Sequence, residues 1–119
     1  MNNDTPRNIT PYMIDCRVFD SCTLHVIASF DGSVEDHLQE KFYIGIATRV
    51  DSDEPEKAIC IWREEVEVIM PKGTYDATVM VRVPIDAISE EARRDCHLMV
   101  FDETGRWIYG RKTDILVNL

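Results

Sequence analysis

The sequence predicts an all-β fold in which two antiparallel sheets cover one another. Three observations carry that expectation. Apolar and polar residues alternate with period two along most of the chain, turn-forming residues close each alternating run, and the two helix-like segments are only a few residues long. A chain of 119 residues buries about two thirds of its unfolded surface, enough for one core and too little for two. One domain is therefore expected over residues 11–119, preceded by a flexible polar arm over residues 1–10.

Residues 23–30 place Leu24, Val26, Ala28 and Phe30 on one face and His25, Ile27 and Ser29 on the other. Asp31-Gly32 closes this second run. Ser33 and Asp36 form a capping-box pattern with Val34 and Leu38 four apart, which predicts either a short helix or a long loop. Residues 41–50 then turn Phe42, Ile44, Ile46 and Val50 inward, and residues 51–55 interrupt the pattern.

In residues 57–70 the parity changes. Ile59 and Ile61 are out of step with Val66, Val68 and Met70, so a bulge or turn at residues 63–65 is expected to divide the run, with Trp62 in the core. Pro71-Lys72-Gly73 is a turn. Residues 74–83 point Ala77, Val79, Val81 and Val83 inward, and Thr78, Met80 and Arg82 outward. Ser89 caps one or two helical turns over residues 89–94, with acids first and bases last. Residues 98–101 and 106–109 form a hairpin with Gly105 in the left-handed position, and Gly110 marks a bulge before the last strand at residues 112–117.

Seven or eight strands result, at the spacing of an immunoglobulin-like or fibronectin type III-like β-sandwich with one short helical crossover. A small closed β-barrel is the alternative, because alternation alone does not distinguish closure from two open sheets.

Thirteen basic residues against 22 acidic ones leave a net charge of −9 and an isoelectric point near 4.7. That sign disfavours direct nucleic-acid binding and anionic membranes. Residues 31–67 hold eleven acids and four bases, carrying −7 of the total. The stretch reads as a solvated face or as a docking surface for a basic partner. Within it, Asp51, Asp53, Glu54 and Glu56 crowd into one segment without the spacing of an EF-hand loop, so they read as a solvated acidic turn and no metal is expected.

The first eleven residues contain no apolar signal segment, so a cytoplasmic location is expected, where thiols stay reduced. Cys16, Cys22, Cys60 and Cys96 form no C-x-x-C pair. Cys22 and Cys96 have a separation compatible with an inter-sheet disulfide, but the tryptophan expected soon after the first cysteine is missing. Buried free thiols are the expectation for at least three of the four.

No nucleophile elbow, glycine-rich phosphate loop, zinc-protease motif or dinucleotide fingerprint occurs, and the five glycines are spread singly. Cys96 and His97 are adjacent on a strand and point to opposite faces, a poor nucleophile pair. The chain is accordingly not expected to be an enzyme, and no cofactor is expected.

Recognition residues are the better prospect. Tyr43, Met80, Trp107 and Tyr109 are candidates for an exposed apolar patch, together with the acids Asp51, Asp53, Glu54 and Glu56. Trp107 and Tyr109 share one side of the last hairpin by alternation, and that side is either an outer surface or the core. Three functions compete: a non-catalytic module that binds another protein or forms a homodimer; an acidic inhibitor or nucleic-acid mimic that occupies a basic cleft; and, disfavoured, a small enzyme.

Overall fold

The computed structural model describes residues 8–48 and 60–115. The alternating runs become β1 (Ile9–Val18), β2 (Thr23–Gly32), β3 (Leu38–Thr48), β4 (Cys60–Met70), β5 (Asp76–Pro84), β6 (Cys96–Asp102) and β7 (Trp107–Thr113). A 3-10 turn (Ile85–Ala87) and helix α1 (Glu90–Arg93) connect β5 to β6. The strands form two antiparallel sheets, β1-β2-β5 and β4-β3-β6-β7. The fold is an antiparallel β-sandwich of the immunoglobulin or fibronectin type III kind. Two separate hydrogen-bonded sheets, rather than one closed ladder, set aside the barrel.

Alternation places the core as expected. Leu24, Val26, Ala28 and Phe30 from β2 meet Phe42, Ile44 and Ile46 from β3, all essentially inaccessible to solvent. The Phe30 and Phe42 rings, 4.8 Å apart between centroids, join the two sheets at the centre. Each such large apolar side chain contributes about 1.5–3 kcal/mol by leaving water. Helix α1 is too short to cover either sheet, and its Ser89 cap accepts a hydrogen bond from the Ala92 N–H.

Several local expectations are corrected. Ile9 and Thr10 pair with Gly32 and Asp31, and Ile9 is fully buried, so the domain begins inside the expected arm. Burial of that side chain outweighs the polarity of its neighbours. Of the two alternatives for residues 33–37 the structure takes the loop, a turn in which the Ser33 hydroxyl accepts from the Glu35 N–H. Val34 is exposed, so the apolar pair that a helix would have buried is never made. Strand β4 is continuous: its irregularity lies opposite Ile46 and Ala47, between Cys60 and Trp62, not at residues 63–65. From Trp62 onward a single parity holds.

The last hairpin also differs. Gly105 takes the left-handed conformation (φ 87°) as expected. Gly110, however, pairs in register with Met99, and the shift falls between Val100 and Phe101, opposite Trp107 and Tyr109. This moves Trp107 and Tyr109 to opposite faces. Tyr109 and Ile108 pack against the core, whereas Trp107 stands outside.

Candidate functional site

The outer face of the four-stranded sheet carries the site. Register sets its pattern: β4, β3, β6 and β7 align Arg63, Gly45, Met99 and Gly110 in one cross-strand row, and Glu65, Tyr43, Phe101 and Trp107 in the next. In a sandwich this side should be polar. Here Ala47 and Met99 are 1% exposed although they point away from the other sheet.

Arg63 explains part of that cover. Its guanidinium carbon lies 4.1 Å from the Tyr43 ring centroid and 5.1 Å from that of Phe101. A planar, weakly hydrated cation over an aromatic face is attracted by the ring quadrupole while its stem shields apolar surface. The Arg63 side chain needs space at its tip, and Gly45 is closely packed by other groups of the same face. A Cβ on Gly105 would sit 3.2 Å from its terminal nitrogen, and a Cβ on Gly45 would come within 2.9 Å of the Trp62 carbonyl and 3.1 Å of the Phe101 ring.

Trp107 closes the other side. A Cβ on Gly110 would lie 2.9 Å from the indole Nε1, so the ring rests on the glycine backbone beside Met99 and remains 38% exposed. A charged border surrounds the aromatic row. Lys41 Nζ pairs with Glu65 at 2.9 Å, and this hydrogen bond holds the ammonium above its ordinary pKa. Gln39 hydrogen-bonds Glu67. At the far corner His97 is held below the usual histidine value, first by burial and then by Lys112, against the opposing pull of Asp95.

The predicted recognition residues are thus dispersed. Tyr43 and Trp107 share this face. Met80 is 45% exposed on the outer face of the other sheet. Tyr109 leans on the core and donates its hydroxyl to the Tyr12 carbonyl at 2.8 Å, tying β7 to β1. Asp51, Asp53, Glu54 and Glu56 lie outside the described residues. Of the other acids in the biased stretch, Asp31 pairs on β2, Glu35 and Asp36 lie in a turn, and Glu64, Glu65 and Glu67 lie on β4; Glu40 accepts from the Ile9 N–H.

Sequence reasoning missed Arg63 and Phe101. Arg63 was hidden by the expected bulge at residues 63–65, and Phe101 by its place at the end of an otherwise inward-looking run. The thiols were also misplaced: all four are free, but Cys22 and Cys60 are exposed and Cys16 is half-buried, leaving Cys96 as the buried one. Cys22 lies between β1 and β2, where the turn presents it to solvent, and Cys60 sits at the irregular start of β4.

No family model matches the sequence, and no curated relative matches it. The solved structures that share its shape include a family 3 β-glucosidase from Bifidobacterium adolescentis, at TM-score 0.60 and 12% identity over 90% of this chain but 17% of that one. β-Glucosidase 3B from Thermotoga neapolitana, in complex with α-D-glucose, gives 0.56 and 13%, over 90% of this chain and 16% of that one. A β-glucosidase from Kluyveromyces marxianus gives 0.57 and 8%, over 90% and 14%. At these identities the likeness is one of fold, and this chain spans only 14–17% of each enzyme's length.

Proposed function

We propose that this chain is a non-catalytic interaction module that binds another protein, or a second copy of itself, through the outer face of its four-stranded sheet. The observation that carries the reading is the Arg63–Tyr43–Phe101–Trp107 arrangement. An outward sheet face bears an exposed tryptophan and an arginine laid over two rings, surrounded by a charged border. Arginine, tyrosine and tryptophan are the residues that dominate binding energy in protein interfaces, and they do so when a polar rim excludes water around them. The shape shared with a minor part of much longer enzymes supports an accessory module over a self-sufficient catalyst. The dispersal of the described acids gives the phosphate-mimic reading no comparable support.

The test compares wild type with Trp107→Ala on this face and with Tyr75→Ala, a more exposed aromatic in the turn between β4 and β5. Sedimentation equilibrium reads self-association, and capture from native extract at moderate salt reads other partners. Trp107→Ala should weaken the association about tenfold or more, as loss of a hot-spot side chain does, and Tyr75→Ala should leave it unchanged. Equal behaviour of the two variants would overturn the reading.

A further inference from the structure

The outer face of the three-stranded sheet carries a second, independent feature. Arg17, His25 and Arg82 are direct cross-strand neighbours on β1, β2 and β5. With strands about 4.8 Å apart, the outer two backbones stand about 10 Å apart with the imidazole between them. In a chain of net charge −9 this clustering of basic side chains is against the average. Two guanidiniums on either side of an imidazole present their N–H donors to an anion lying between them.

The neighbouring acids do not neutralise the row. Asp15 is engaged by Arg111 at 3.6 Å. Asp20 lies near His25, but its carboxylate accepts the Cys22 N–H at 2.8 Å, and that hydrogen bond is the main reason its pKa is lowered. Neither Arg17 nor Arg82 forms an ion pair with a described residue. The Phe19 ring stacks on His25, 4.5 Å between centroids and 19° from parallel, which fixes the imidazole by its face and leaves the nitrogen-bearing edge out of the contact. The next row is Asp15, Ile27 and Met80: beyond the carboxylate engaged by Arg111 it offers apolar surface, Ile27 half-buried and Met80 exposed, opposite each other on β2 and β5.

We propose that the Arg17–His25–Arg82 row is a binding site for a phosphate monoester, its oxyanion held between the two guanidiniums and the imidazole and its apolar body resting on Ile27 and Met80. Two planar guanidiniums with paired N–H donors match phosphate oxygens, and the imidazole supplies a further donor. The opposite border of the same face is closed to such a ligand, because Tyr12 reaches across β2 to hydrogen-bond Asp76 and leaves a carboxylate there.

The experiment titrates the folded chain near neutral pH with inorganic phosphate and with phenyl phosphate, against sodium chloride at matched ionic strength. Resonances of His25, Ile27 and Met80 are followed by NMR. Both phosphates should give saturable shifts that chloride does not, with phenyl phosphate half-saturating at the lower concentration. Arg17→Gln and Arg82→Gln should each raise the half-saturating concentration about tenfold, the effect of one charged hydrogen-bond pair, whereas Lys72→Gln in the β4–β5 turn should not. Without ligand both arginine variants should melt near the wild-type temperature, because neither arginine forms an ion pair with a described residue, so loss of binding is not loss of fold. Shifts that chloride reproduces, or equal weakening by Lys72→Gln, would overturn the site. Phenyl phosphate binding no tighter than phosphate would overturn the place given to Ile27 and Met80.

Discussion

The guanidinium of Arg63 lies over the ring of Tyr43, 4.1 Å from its centroid, and the two residues belong to neighbouring strands in adjacent cross-strand rows of one face, two residues apart in register. The contact converts an outward-facing tyrosine into the base of a covered patch and holds the cation where a partner would meet it.

Removing that cover should be measurable without any partner. Arg63→Ala should lower the free energy of unfolding by about 1 kcal/mol, combining the cation–π attraction with the packing of the stem. Arg63→Lys should recover part of it, since an ammonium keeps the charge but not the planar stack. Urea unfolding at equilibrium reads both. An alanine variant as stable as wild type would show that the arginine contributes nothing to this face in the free domain.

Gly110, in the Arg63 row, makes a sharper prediction. A Cβ on Gly110 would meet the Leu98 carbonyl oxygen at 2.8 Å and the Trp107 indole at 2.9 Å, and backbone cannot yield as a flexible side chain can. Gly110→Ala should therefore cost about 1–3 kcal/mol, the usual range for overpacking, and displace the indole towards solvent. In a Trp62→Phe background, where Trp107 is the remaining tryptophan, its emission should shift to the red. Gly73→Ala is the comparison: its positive φ is strained for alanine but nothing lies within 4 Å, so the emission should stay in place.

The cysteines should divide by exposure. Cys22 and Cys60 should be alkylated readily in the folded protein, Cys16 more slowly, and Cys96 only on unfolding, read by mass spectrometry of labelled peptides. Burial pushes the Cys96 thiol up to about 12. The neutral thiol is thus favoured in the folded state, and the unfolded chain ionises first as pH rises. Cys96 therefore adds stability below the ordinary thiol value of 9.0 that is lost progressively from there to about 12. Melting temperatures should fall across that window, and less steeply in Cys96→Ala. Because all four thiols are free, a reducing agent should leave the melting temperature within a few degrees.

Much of the architecture was legible in the sequence because period-two alternation reports a half-buried strand directly. Leu24, Val26, Ala28 and Phe30 needed no tertiary information to be placed inward, and Ser89 announced its cap. The candidate site was less legible. Tyr43 and Trp107 could be nominated, but whether they stood together depended on where the chain slips by one residue. One such slip, between Val100 and Phe101, separates Trp107 from Tyr109; another, near Cys60, brings Trp62 inward and puts Arg63 outside.

What the amino-acid order determined alone is a chain of half-buried strands, with their inward faces, the turns at Gly73 and Gly105, and the excess of negative charge. These are local properties, set by each residue's own chemistry and its neighbours along the strand. That the strands form two open sheets and not a barrel was decided by their pairing. Only the tertiary structure decided that Arg63 meets Tyr43 and Phe101, that Trp107 rests on Gly110, and that Arg17, His25 and Arg82 stand abreast. Those relations run across strands distant in sequence, and a shift of one residue in pairing sends every side chain beyond it to the other face.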